Sequence, residues 1–412
     1  MKTLTGLTCS FFLFCLMAWQ SGFGQEDIQA KAQKVHQEVY TIDSHNDTPM
    51  SFGDPDFNMG QRHDVKNGGS RMDFPRMKEG GLDGAFFAVF TGQGPLTDEG
   101  RQNAYHRAKI TFDNIYKTAT LHAGLAGIAL TPKDGYRLNK QGLVSMFIGL
   151  ENGYPLGLDI NRIQEFYNLG TRYITLCHTR NNDICDSSTD KNGPLNHGLS
   201  EFGKLVVAEM NRLGIMVDVS HMSDKSFYDV IAYSKTPVIA SHSCARALCN
   251  NPRNLNDEML IALAQNGGVI QMCILSAYVN NPEPNPARDS AEAAIRLKYG
   301  DWSKLSPEDQ KVARSAYSAI RQKYPEQLAT VSDMVDHIDH IVKVAGIDHV
   351  GIGTDFDGGG SLADCMDASQ MGNITLELVK RGYSKKDISK IWSGNLFRVM
   401  NEVEFFASKQ KK

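Results

Sequence analysis

Eight short apolar runs, separated by stretches of helical pattern, constrain this chain more than any other feature. The runs are Val39–Asp43, Gly84–Phe90, Val144–Leu150, Tyr173–Cys177, Ile215–Ser220, Pro237–Ser241, Gly268–Met272 and Val350–Thr354. Most are apolar on successive residues, as strands covered on both faces are. Helical spacing fills the gaps at Asn103–Ala123, Ile160–Leu169, Leu199–Leu213, Asp224–Tyr233, Asn256–Ala264 and Val331–Val344. Eight β/α units in 412 residues predict an α/β protein, a (β/α)8 TIM-like barrel. A doubly wound sheet is the alternative, but no Gly-x-Gly-x-x-Gly follows the first run. From Val279 to Thr330 the chain is too long for a plain connection. It carries Pro282, Pro284 and Pro286, then helical stretches at Asp289–Lys298 and Ser306–Lys323. A helical insertion after the seventh strand, over about 279–330, is expected there.

The residues that close the runs carry the chemistry. Strand one ends in His45 and Asp47, strand three in Glu151, strand four in His178, strand five in His221, strand six in His242 and strand eight in Asp355. On extended backbone His45 and Asp47 would project to the same side. Of only twelve histidines, four fall at these ends. In a parallel barrel all of these ends share one rim. Imidazole and carboxylate without thiolate suit Zn²⁺, and also Mn²⁺, Co²⁺ or Fe²⁺. Five ligands exceed the needs of one tetrahedral zinc, and a carboxylate bridging two metals would account for the surplus. Gly353 and Gly358 beside Asp355 predict a flexible loop there. His337 and His340, at i and i+3, read as a polar helix face. Asp357 reads as a support for the last loop, and Tyr278 equally as a packing residue or a substrate contact.

Composition adds bounds. A net charge of −4 with 22% charged residues offers no basis for nucleic-acid or anionic-membrane partners. Residues 1–24 have the form of a signal peptide: Lys2, then an apolar stretch with Phe11, Phe12, Leu13 and Leu16, then small residues up to Gly24. Export without a membrane anchor follows as an expectation, to the periplasm or the medium. Residues 25–412 would then be one catalytic barrel domain. Cys9 and Cys15 would leave with the signal. The remaining six cysteines contain no Cys-x-x-Cys pair, and their pairing is left open.

The stretches IDSHND, IGLENG, RYITLCHTRNN, VDVSHMS, IASHSCARALCNNPRNL and VGIGTDFDG resemble the membrane dipeptidase family, peptidase family M19, in family order and over about Val39 to Asn401. The resemblance implies a metal-dependent hydrolase barrel and a dipeptidase acting through a hydroxide shared by two zinc ions. It implies that His45 and Asp47 bind one zinc, His221 and His242 the other, and that Glu151 bridges them. His178 would oppose the oxyanion of the tetrahedral intermediate, Arg253 would hold the substrate's C-terminal carboxylate, and Asp355 would be the acid/base. Small dipeptides are the expected partners, with a C-terminal D-residue admitted as a hypothesis and a homodimer as the assembly weighed. Arg180 stands where mammalian members carry a cysteine, and the 279–330 insertion is absent from their pattern. Two rivals are another amidohydrolase reaction, on a lactone, cyclic amide or N-acyl amino acid, and a non-catalytic binding protein on the same scaffold. A strand-closing lysine would have favoured the first rival, and a missing ligand the second.

Overall fold

The computed structural model describes residues 27–410 apart from 282, 301–304 and 326. The expected signal peptide lies outside the described residues. Nine strands form one parallel sheet: β1 (Ile42–Asn46), β2 (Gly84–Phe90), β3 (Ala126–Ile128), β4 (Val144–Glu151), β5 (Thr171–Thr175), β6 (Met216–Asp218), β7 (Ile239–Ser243), β8 (Val269–Met272) and β9 (Val350–Ile352). Their order is β1-β2-β4-β5-β6-β7-β8-β9, with β3 a short addition beside β4. The first and last strands meet just beyond their C-terminal ends. There Asp355 N–H donates to His45 O at 2.9 Å and Asp47 N–H to Phe356 O at 2.8 Å. The barrel therefore closes at the rim where the polar strand ends gather. Among the described residues no helix is long and apolar enough to cross a membrane.

The successive apolar residues of each run serve two cores. Phe86, Phe147, Tyr173, Met216, Ile239 and Val269 pack with Ile42 inside the barrel. Their neighbours Phe87, Met146, Ile148, Ile174, Val217 and Ile270 belong to the outer core beneath the helices. This alternation is the period of two of an extended chain. The interior cluster continues into Leu396, Phe397, Val399, Met400 and Val403 of the C-terminal helix Asn395–Gln410. That helix seals the end of the barrel opposite the polar rim. Its apolar stripe is not among the helical stretches expected above, and neither are Phe74–Glu79, Pro132–Lys140 and Gly372–Lys380.

The expected helices form with ends moved by a few residues, as at Asp98–Leu121 and Glu201–Leu213. All but Asn161–Asn168 begin on a residue that satisfies free backbone N–H groups: Thr97, Ser200, Ser223, Asn256 and Thr330 accept from the first turns of their helices. Between the short helix Ser276–Val279, which follows β8, and the helix Val331–Ala345, the described residues form the helices Pro286–Tyr299 and Pro307–Lys323, which pack on one another. The cysteines at 177, 185, 244, 249, 273 and 365 are all buried free thiols.

Interior glycine at position 149 is imposed by packing. A Cβ there would sit 2.1 Å from the Tyr173 ring, which occupies the space between β4 and β5. Gly149→Ala should displace that ring and cost about 1–3 kcal/mol, the usual penalty of overpacking. Urea denaturation would check it, and an unchanged midpoint would argue against this placement of Tyr173.

Candidate metal centre and active site

Glu151 closes β4 and points into the mouth of the barrel on the same side of the strand as Phe147 and Gly149. Its two oxygens face different partners. Oε2 lies 3.4 Å from His45 Nε2. Oε1 lies 3.1 Å from His221 Nε2, 3.6 Å from His242 Nε2 and 3.7 Å from His178 Nε2. Asp47 Oδ2 completes the first side, 3.7 Å from His45 Nε2. Three overlapping sets result: His45, Glu151 and His242; Glu151, His178 and His221; His45, Asp47 and Asp355. His45 Nε2, Asp47 Oδ1 and His221 Nδ1 are buried with no hydrogen-bond partner among the described residues. Orphaned buried donors and acceptors are costly. A carboxylate with His45 on one oxygen and His178, His221 and His242 on the other fits a pair of divalent cations, and the N/O donor set fits borderline metals such as zinc.

Local backbone irregularity aims these side chains. Strand pairing is interrupted between Asp43 and Asn46 in β1 and between Ala240 and Ser243 in β7. Those interruptions present His45 and His242, as bulges beside active sites commonly do. Simple strand alternation does not account for the His45–Asp47 pair. The strand ends at Asn46, and Asp47 is the N-cap of a 3-10 turn, Thr48–Ser51. His221, Asp355, Asp357 and Asn152 all have positive φ, at 69°, 61°, 66° and 72°. Such backbone costs energy in non-glycine residues and persists only where surroundings enforce it.

Charges in the mouth are shaped by burial. Desolvation and then the Arg253 charge hold His221 well below the usual imidazole range. Desolvation, then His45, His221 and Arg253, do the same for His242. Both therefore offer the neutral form that ligates metal. Desolvation also lowers His178, at 22% the most exposed side chain of the group, whose ring packs edge-on to Phe90. For His45 burial again opposes charge, but Tyr173, Glu151 and Asp47 outweigh it and raise its pKa. Burial, followed by Cys273 and Asp47, pushes Asp355 well above the carboxylate range.

Asp355 faces Asp47 across Gly358. A Cβ on Gly358 would lie 2.1 Å from an oxygen of each. Gly353 likewise has no room, its Cβ falling 2.0 Å from Ser241 O. The expectation of a flexible loop is thus corrected. These glycines allow close approach and lie in a tightly bonded turn, where Gly358 and Gly360 N–H both donate to Asp355 O. Asp357 supports that turn, accepting from Thr48 Oγ1 at 2.8 Å and from Arg71 N at 2.7 Å.

Arg253 is buried beside the histidines. Its guanidinium donates to His242 O at 3.1 Å and to Ser243 Oγ at 3.5 Å and lies over the Tyr278 ring at 5.3 Å, while its Nε has no partner among the described residues. Asp257, four residues along the chain, is taken up by His340 at 2.7 Å. Among the described residues no carboxylate is paired with Arg253, so its charge is available to a bound anion. Tyr278 therefore faces the site. His337 is corrected from a surface residue to a buried tie: Nε2 donates to Val279 O at 2.8 Å, and Nδ1 accepts from Ala245 N at 3.1 Å.

Sequence reasoning did not single out Tyr173, Asp43 or Asp218. Tyr173 OH meets His45 Nδ1 at 2.7 Å. Asp43 accepts from Thr354 Oγ1 at 2.6 Å and Thr354 N at 2.7 Å, tying the strand before Asp355 to β1. The available signal was a charge inside an apolar run, in TIDSH and IMVDVSH, where burial without a partner is prohibitive.

Residues 29–412 match the family model for membrane dipeptidases, peptidase family M19. The chain belongs to that family. It is 32% identical over 377 residues to dipeptidase tcpJ of Claviceps purpurea, covering 90% of this chain and 78% of that one. It is 30% identical to dipeptidase 3 of Macaca fascicularis, over 92% and 68% of the two chains. The structure of the probable dipeptidase PvdM of Pseudomonas aeruginosa superposes with a TM-score of 0.79 at 32% identity, covering 93% of this chain and all of that one. As an M19 metallodipeptidase, the chain is an enzyme on the barrel fold its strand pattern predicts, and neither the doubly wound sheet nor the non-catalytic scaffold is favoured.

Proposed function

We propose that this metallodipeptidase holds two zinc ions and cleaves dipeptides that have a free C-terminal carboxylate. The observation that carries this is the division of Glu151, whose Oε2 faces His45 while its Oε1 faces His221 and His242. His45 and Asp47 would hold one ion, His221 and His242 the second, and Glu151 would be shared. When bound, such ions lower the pKa of a water and polarise a carbonyl. The remaining steps belong to the chain's own residues. Arg253, with no acidic partner, binds the substrate carboxylate and sets the distance to the scissile bond. His178, neutral and beside Glu151, donates a hydrogen bond to the developing oxyanion. Asp355 takes a proton from the attacking water and returns it to the leaving amine.

Purified protein reconstituted with zinc should contain about two ions per chain. Elemental analysis giving one ion or fewer would refute the binuclear assignment. Export to the periplasm or medium is part of the same proposal, supported by the Lys2-to-Gly24 pattern. An exported enzyme of this type meets cell-wall dipeptides, which motivates acceptance of a C-terminal D-residue. N-terminal sequencing of the fractionated protein should begin at Gln25, and strict L-L specificity in a dipeptide panel would remove the D-residue hypothesis.

A further inference from the structure

We infer that Asp218 is a positioning residue that fixes the proton of His242 on Nδ1, leaving Nε2 free for metal. This rests on the metal-site proposal. Asp218 ends β6 with no exposed surface. Among the described residues its carboxylate receives four donors and no cation: Ser220 N at 3.0 Å and Ser241 N at 2.8 Å on Oδ1, and the hydroxyls of Thr175 and Ser241 on Oδ2.

The Ser241 hydroxyl is the decisive group, because it also lies 2.8 Å from His242 Nδ1. A hydroxyl has one proton. The contact with Asp218 Oδ2, at 2.6 Å, is to a group that accepts when ionised. With that proton committed, Ser241 Oγ can only accept from the ring. His242 Nδ1 must then be the N–H, and Nε2 must carry the lone pair. That nitrogen points toward Glu151 Oε1 at 3.6 Å and His221 Nε2 at 2.8 Å. His221 has no such control, since its Nδ1 is buried with no partner among the described residues. Asp218 thus acts on the ligand through Ser241, with no contact of its own to the metal-facing atoms.

Asp218→Asn keeps the size and reverses the polarity. An amide N–H₂ facing Ser241 donates to its oxygen, and the hydroxyl proton is released toward His242 Nδ1. The ring must then place its own proton on Nε2, against the metal. Outer partners of ligating histidines typically control metal affinity 10–100-fold. Asp218→Asn and Ser241→Ala should therefore raise the dissociation constant of the zinc ion that His242 holds by about 10–100-fold. Thr175→Val removes another donor to the same carboxylate but leaves the Ser241 link, so its affinity should stay within about threefold.

Zinc affinities would be measured by competition with a chromophoric chelator, alongside the visible spectrum of the Co²⁺ form and the melting temperature. The proposal predicts weakened binding and an altered Co²⁺ spectrum in Asp218→Asn and Ser241→Ala, with neither change in Thr175→Val. If Asp218→Asn does not fold, Ser241→Ala decides. Wild-type affinity in a folded Ser241→Ala overturns the role of Asp218 while leaving the metal site intact. An equal loss in Thr175→Val would reduce Asp218 to a structural support. A native protein that takes up no divalent ion would overturn the metal site itself.

Discussion

Asp355→Asn should reduce kcat by roughly 10²–10⁴ while metal content and folding survive. Asparagine preserves shape but cannot accept and return a proton. The site is built to make that carboxyl a proton carrier: it is buried, lies 3.9 Å from the Cys273 thiol, and shares its space with Asp47. Its φ of 61° holds it toward the mouth and not along the strand. Because Asp355 also groups with His45 and Asp47, it could serve as a metal ligand instead. In that case the variant would lose an ion, and excess zinc would restore activity. If Asp355 only supports the turn, kcat would be nearly normal and stability would fall by about 1 kcal/mol. Metal content, kcat and melting temperature on this one variant separate the three outcomes, and near-normal kcat refutes the acid/base role.

Arg253→Ala should lower kcat/KM for dipeptides by about 2–5 kcal/mol of transition-state binding. The guanidinium is buried with no acidic partner among the described residues and is held by His242 O, Ser243 Oγ and the face of Tyr278. A buried cation of this kind is tolerable when a substrate anion completes it. Dipeptide C-terminal amides should then be poor substrates of the native enzyme, and the variant should show little preference between acid and amide. Arg253→Lys should recover only part of the loss, because an ammonium cannot form the paired contacts of a planar fork. Equal turnover of dipeptides and their amides by the native enzyme would exclude this role.

The barrel was legible in the sequence because strand period and β/α alternation are local properties. Glu151, His178, His221, His242 and Asp355 stood out for the same reason, since each lies at or within three residues of the end of a strand and a parallel barrel brings such ends to one rim. Recognition of Arg253 needed the family resemblance. Its position ten residues beyond a strand carries no directional information, and only the tertiary structure shows it buried, free of Asp257 and beside the histidines. The aim of His45 and His242 depended on strand-pairing irregularities, which arise between strands and have no signature within either one. His337 was misjudged because a helix shows which residues share a face but not what covers it, here Val279 and Ala245. The apolar stripe of Asn395–Gln410 likewise became a barrel seal only when the eight strands left an end to close. Local pattern therefore determined the scaffold and most of the candidate ligands. Contacts between distant segments decided their orientation, their protons and the two faces of Glu151, because these depend on atoms supplied by other strands.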